Sequence, residues 1–159
     1  MNHISSLELT LPTILQNLNT QNPTSLPLQI SIHNLTNTPI TVLRWNTPFD
    51  PRASLLDLFE VRDTTTGRTL AADTIKISRK LPASVDDLVE IRAGETMTCD
   101  ATITGLYFET GHEYSVRARG IWMAIWPRQL EDVTASQMQS LFGAESGGFE
   151  SNVAVVEVK

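Results

Sequence analysis

The side chains best able to do chemistry are three histidines, one cysteine and a few neighbouring carboxylates. His112 and Glu113 begin the His-Glu-x-x-His pattern of zinc proteases, in which one helix face brings two imidazoles four residues apart onto one metal. Here the fifth residue is Val116. Tyr114, Val116 and Ala118 alternate as on a strand, where residues four apart cannot share an ion. His3 and His33 stand at no ligand spacing from His112. Cys99 has no His or Asn nearby in sequence and reads as a small buried hydrophobe. Asp86 and Asp87 would face opposite ways on a strand, which makes them a poor acid/base couple. In a loop they read as a solvated turn or a cap. There is no G-x-S-x-G, no phosphate-cradling loop and no dinucleotide fingerprint. The expectation is a chain that is not an enzyme, with no catalytic residue, no metal and no cofactor.

The elements that must position these residues are short strands. "SLELTLP", "LPLQISIHN", "ITVLRW", "LFEV", "TIKIS", "LVEI", "MTCDATI", "HEYSVRARGIWMAIW" and "SNVAVVEVK" all carry period-two alternation. "ITVLRW" is apolar on both faces, which predicts a central strand. Turns fall between them at 34–39, 64–68, 92–95 and 109–113, the last three around Gly67, Gly94 and Gly111. "EDVTASQMQSLFGAESGG" lacks alternation. Thr134 and Gln137 fit a capping box, Met138, Leu141 and Phe142 fall at helical spacing, and Gly143 is a candidate stop. The pattern predicts an all-β, antiparallel, immunoglobulin-like sandwich with one short inserted helix near 134–142. It forms one domain over 1–159, with the first strand and a polar linker in 1–25 and the helical insert in 128–150.

Composition narrows the partners. The chain has 159 residues, 41% apolar and 19% charged, with net charge -6. No run of Lys and Arg exists to bind phosphates, so nucleic acid is excluded as a partner. No stretch has the ~18 apolar residues of a membrane helix, and the N-terminus lacks the basic and apolar regions of a signal peptide. With a single cysteine, these features predict a cytoplasmic chain that does not bind membranes. The Asn34-Leu35-Thr36 sequon is discounted on that basis.

Two surfaces are candidates for protein contact. "RWNTPFD" is a Pro-rich corner bracketed by Trp45 and Phe49. It reads either as a core-pinning crossing between the two sheets or as a rigid loop presenting side chains to a partner. Loops 46–54 and 80–90 thus offer Trp45, Thr47, Phe49, Asp50, Arg52, Asp86 and Asp87 as partner-binding residues. "GIWMAIWP" (120–127) is apolar on both faces, with Trp122, Ala124 and Trp126 on one and Ile121, Met123 and Ile125 on the other. One face must be covered by the inserted helix or by a second copy, which makes Trp122, Met123 and Trp126 candidates for self-association. The chain is expected to be a monomer or a homodimer.

Read in order, "ISIHNLTNTPITVLRWNTPFD", "LFEVRD", "ISRKLPASVDDLVEIRAGETMTCDATI", "GHEYSVRARGIW" and "ESNVAVVEV" resemble the N-terminal domain of fungal deuterolysin-type (aspzincin) metalloproteases. The resemblance runs from about residue 26 to the C-terminus, with the helical insert between. In those proteases this β-domain is a propeptide and the catalytic domain follows it. Here no His-Glu-x-x-His and no downstream zinc-ligand Asp occur. The resemblance therefore implies a propeptide-like domain standing alone, without protease activity, that binds a protein partner, a protease by analogy, as an inhibitor or a folding cap.

Overall fold

The computed structural model describes residues 3–15 and 24–158. Within them lie the strands β1 (Leu7–Thr10), β2 (Ile14–Leu15), β3 (Thr24–Asn34), β4 (Ile40–Leu43), β5 (Phe59–Asp63) and β6 (Thr69–Leu70). They continue with β7 (Leu88–Ile91), β8 (Thr96–Leu106), β9 (Glu113–Trp126), β10 (Glu145–Glu150) and β11 (Ala154–Glu157), and one α-helix, α1 (Ala135–Ser140), precedes β10. Two sheets form a sandwich. The smaller has the order β1-β3-β8, and the larger is built around β9. On one edge of β9, β11 and β10 pair with successive stretches, and on the other β5 and then β4 do so. No described helix is long and apolar enough to cross a membrane.

Alternation produces this arrangement directly. In β3, Leu26, Leu28, Ile30 and Ile32 are buried while Pro27 and Gln29 face solvent. Leu9 of β1 pairs with Ile32, so a one-residue slip would turn both apolar rows outward. β4 is buried on both faces, as its pattern predicts. Ile40 and Val42 join the large core between the sheets, and Leu43 joins a smaller cluster with Trp45, Ala124, Trp126 and Val133. In the β5–β6 turn Gly67 takes φ +80°, and its N–H donates to the Asp63 carbonyl. A side chain would be strained there.

Several expectations are corrected. "TIKIS" is not a strand: the Ile75 N–H donates to Leu55 O of the corner rather than to a neighbouring strand. The corner does not cross between sheets, because β4 and β5 both pair with β9 in the larger one. The helical insert ends before 145, because Glu145–Glu150 form β10 despite Gly147 and Gly148. The helix itself spans Ala135–Ser140. Thr134 caps it with the expected Gln137 box, and it stops at Leu141, which takes φ +60° before Gly143 is reached. Ser25 and Thr24, read as linker, belong to β3, and the rest of the 16–25 linker lies outside the described residues.

The faces of β9 also differ from strict alternation. Trp122 pairs with Gly147 and Ile125 with Glu145, so three steps on β9 match two on β10. This bulge turns Trp122 and Ile125 toward the same core, while Ala124 and Trp126 face the cluster covered by Met138 and Leu141 of the helical segment.

Candidate partner-binding site

The corner is built from its own hydrogen bonds. After β4, Asn46 takes φ +59°, a conformation asparagine tolerates better than most residues. The Thr47 hydroxyl donates to Arg44 O at 2.7 Å and accepts from Phe49 N at 3.1 Å. The Asp50 carboxylate, with no exposed side-chain surface, accepts from Asn46 N and Arg52 N at 3.0 Å each. Its third donor is Arg79 Nη2, at 2.7 Å. The Arg79 guanidinium also lies 5.9 Å from the Trp45 ring centroid. One arginine thus clasps the corner to the segment 71–84 through a buried carboxylate and an aromatic face.

The second predicted loop meets the first. Arg44 N donates to Asp87 O at 2.8 Å, and the Asp87 carboxylate accepts from Ser84 N at 2.8 Å. Burial pushes the Asp87 carboxyl up, but the Ser84 donors and the Arg79 charge outweigh it and its pKa lies below the usual value. Loops 46–54 and 80–90 therefore do share one end of the molecule. Arg79, which links them, was not among the predicted residues. In "ISRKLP" nothing sets it apart from the adjacent Lys80.

Most predicted contact residues are buried instead. Trp45, Thr47, Phe49 and Asp50 are all interior, because the corner folds its large rings inward rather than presenting them. Phe49 packs 6.5 Å from Trp122, and Trp122 packs 4.7 Å from Phe149. Arg52 and Asp86 are exposed and Asp87 is half-buried. Of the self-association candidates, Trp122 and Trp126 are fully buried, the latter donating Nε1–H to Phe142 O at 3.3 Å. Met123 is half-buried, and its sulfur accepts from Asn46 Nδ2 at 3.6 Å.

What the corner does expose is a gap. Pairing on one edge of β9 ends with Phe59 opposite Ala118 and resumes with Val42 opposite Ile125. Arg119 N still reaches Leu58 O at 2.8 Å. Two residues on, Ile121 turns its N–H and C=O to the same edge, where no strand meets them. Its side chain is 60% exposed. This edge, the underside of the corner at Leu56–Leu58, and residues 75–78 line an open groove of about 680 Å³. The departure of a long corner from mid-sheet makes the gap, and local sequence pattern carries no sign of it.

The histidines and the cysteine take structural places. His112 Nδ1 lies 2.7 Å from Asp63 and Nε2 lies 3.1 Å from Glu109, so one imidazole bridges two carboxylates. His3 Nδ1 and N both meet Glu145, at 2.6 Å, and His33 bonds Thr96. Burial pushes the Cys99 thiol up to about 11, which keeps it from being a ready nucleophile at neutral pH. Among the described residues no group of three or more His, Cys, Asp or Glu could hold a metal ion.

A protein of the fungus Arthroderma benhamiae, named as an uncharacterized secreted protein, is 42% identical over 130 residues, covering 79% of this chain. The chain spans 65% of that relative's length. Its secretion overturns the expectation of a cytoplasmic location, which rested on the N-terminal pattern, the single cysteine and the lack of a membrane-length apolar stretch. The solved structure of ycdA from Bacillus subtilis is similar over 94% of this chain and 35% of its own, at 13% identity and a TM-score of 0.31. Residues 11–158 match the immunoglobulin-like domain family. With two antiparallel-dominated sheets packed face to face, the chain belongs to the immunoglobulin-like domain family.

Proposed function

We propose that this chain is a non-enzymatic protein-binding module that works outside the cell, as a propeptide-like partner of a deuterolysin-type protease. The observation that carries the binding reading is the groove beside the corner. It combines an exposed isoleucine, unpaired strand backbone and a rigid, clasped frame. Rigid sandwiches present such features to partners at loops and edges. The class of partner comes from the resemblance of residues 26–159 to the deuterolysin propeptide domain. The extracellular setting is supported by the secreted relative.

The test is a titration of the chain into mature deuterolysin-type protease, followed by cleavage of a fluorogenic peptide. Dose-dependent loss of activity is expected. Ile121→Asp should weaken it without shifting the melting temperature, since the side chain is exposed. Variants at Phe49 or Asp50 are unsuitable probes, because both residues hold the core together. No inhibition at a large excess of the chain would overturn the protease reading. A second reading, self-association through the 120–127 strand, is favoured only by the same exposed Ile121. Burial of Trp122 and Trp126 removes the larger part of that surface.

A further inference from the structure

We propose that the open edge of β9 takes an extended acidic peptide by strand addition, with the peptide's carboxylates meeting Lys76 and Arg52. The proposal deepens the protein-binding reading and rests on it.

The groove has two backbone walls. One is Ile121, whose N–H and C=O have no partner among the described residues. The other is residues 76–78, where Lys76, Ile77 and Ser78 make no backbone hydrogen bond among the described residues. A strand laid between them supplies the missing donors and acceptors, as peptide ligands do at exposed sheet edges. About 680 Å³ is within the ~300–1,000 Å³ typical of ligand sites. Ile121, Ile75 and Met123 provide apolar surface for alternate side chains of such a strand.

Charge selects the occupant. Arg79 is spent on buried Asp50. Arg119 is engaged by Asp57, at 3.6 Å and through the Asp57 carbonyl, and lies 3.9 Å from Glu60. That leaves Lys76 on the groove wall and Arg52 in the adjoining cleft with Ile77, neither with an anionic partner among the described residues. The molecule as a whole carries net charge -6. Lys76 and Arg52 therefore set positive charge beside an unpaired strand edge, where Asp57, the carboxylate in the groove lining, is held by Arg119. This charge complements an extended peptide that bears Asp or Glu on the outward positions. A second copy of this chain would set the same cations against each other.

The probe is a short blocked peptide alternating Val with Glu, with a Val–Lys peptide as its control, read by fluorescence anisotropy on the full chain. The acidic peptide should bind and the basic one should not. Binding should slow amide hydrogen exchange at Ile121. Lys76→Glu should weaken binding about fivefold at unchanged melting temperature. Failure of the acidic peptide to bind, equal binding of both peptides, or binding without slower exchange at Ile121 would each overturn the proposal. Protease inhibition that survives Lys76→Glu, with no peptide binding, would sink the groove and leave the propeptide-like reading standing. Peptide binding without any inhibition would do the reverse.

Discussion

Asp50 shows why the residues nearest the corner are poor guides to its use. It is a buried carboxylate with three N–H donors, and one of them, Arg79, is its only cationic partner among the described residues. Removing one member of such a pair strands the other without water or countercharge. Arg79→Ala should lower stability by about 3 kcal/mol, measured as a shift in the urea midpoint, with Arg79→Lys losing less. Asn34 makes a similar point about a surface-looking motif. Its side chain is buried, its amide donates to Thr38 O, Ile91 O and Arg92 O, and its oxygen accepts from Thr36 N and Oγ1. Secreted, folded protein should carry no glycan on Asn34 by intact mass, although the sequon is complete. Asn34→Ala should cost about 2–3 kcal/mol through the unpaired carbonyls it leaves. In the sequence both residues look like turn chemistry. Their burial depends on partners 29 and 57 residues away, which no local pattern encodes.

At the scale of elements, the loop between β8 and β9 is fastened to the start of the β5–β6 turn by His112. The hydrogen bond that the His112 ring donates to Asp63 raises the His112 pKa, burial opposes it, and the charges of Asp63 and Glu109 add to the rise. Burial pushes the Asp63 carboxyl up, but the His112 ring and the Thr66 and Thr65 N–H groups prevail and hold it below its usual value. The two signs define a window. A raised histidine stabilises fully below its unfolded pKa of about 6.5 and loses that contribution as pH climbs through the folded value. A lowered aspartate contributes above its unfolded value of about 3.9 and loses that as pH falls through the folded one. The clamp is therefore strongest in mildly acidic solution. Wild type should lose stability relative to His112→Gln as pH rises past neutrality, in urea midpoints taken across pH. A difference between the two that does not change over that range would sink the clamp.

Gly120 makes the contrast with a steric element. A Cβ there would sit 2.7 Å from the Phe149 ring and 3.2 Å from Leu58, so Gly120→Ala should destabilise by about 1–3 kcal/mol. Alternation made most strands legible, β1, β3, β4, β5, β7, β8, β9 and β11 among them, because each is half-buried or wholly buried with period two. It failed in both directions elsewhere. "TIKIS" alternates without pairing, and its Ile75 is exposed. "ESGGFE" pairs through backbone, and a Cβ on Gly147 would crowd Ile4 at 3.2 Å where β10 passes it. Two-residue β2 and β6 are too short to carry a pattern.

For the whole molecule, the decisive property is how charge is distributed around one incomplete sheet. Twelve basic residues face eighteen acidic ones. On the outer face of β9 the basic ones are neutralised in a lattice, Arg117 by Glu60 and Glu150, and Arg119 by Asp57 and Glu60. Lys76 and Arg52 stand outside that lattice at the groove. The same open edge could pair with an acidic peptide or with its own copy, and salt separates the two. Attraction between exposed opposite charges is screened as ionic strength rises, and so is repulsion between like ones. Peptide affinity should therefore fall with added salt, while pairing of two cationic rims should be suppressed at low salt and favoured at high salt. Sedimentation velocity at low ionic strength should show a monomer, and anisotropy under the same conditions should show the tightest peptide binding. A dimer that persists at low salt and is lost in Ile121→Asp would mean that the gap left by the corner is filled by the chain itself.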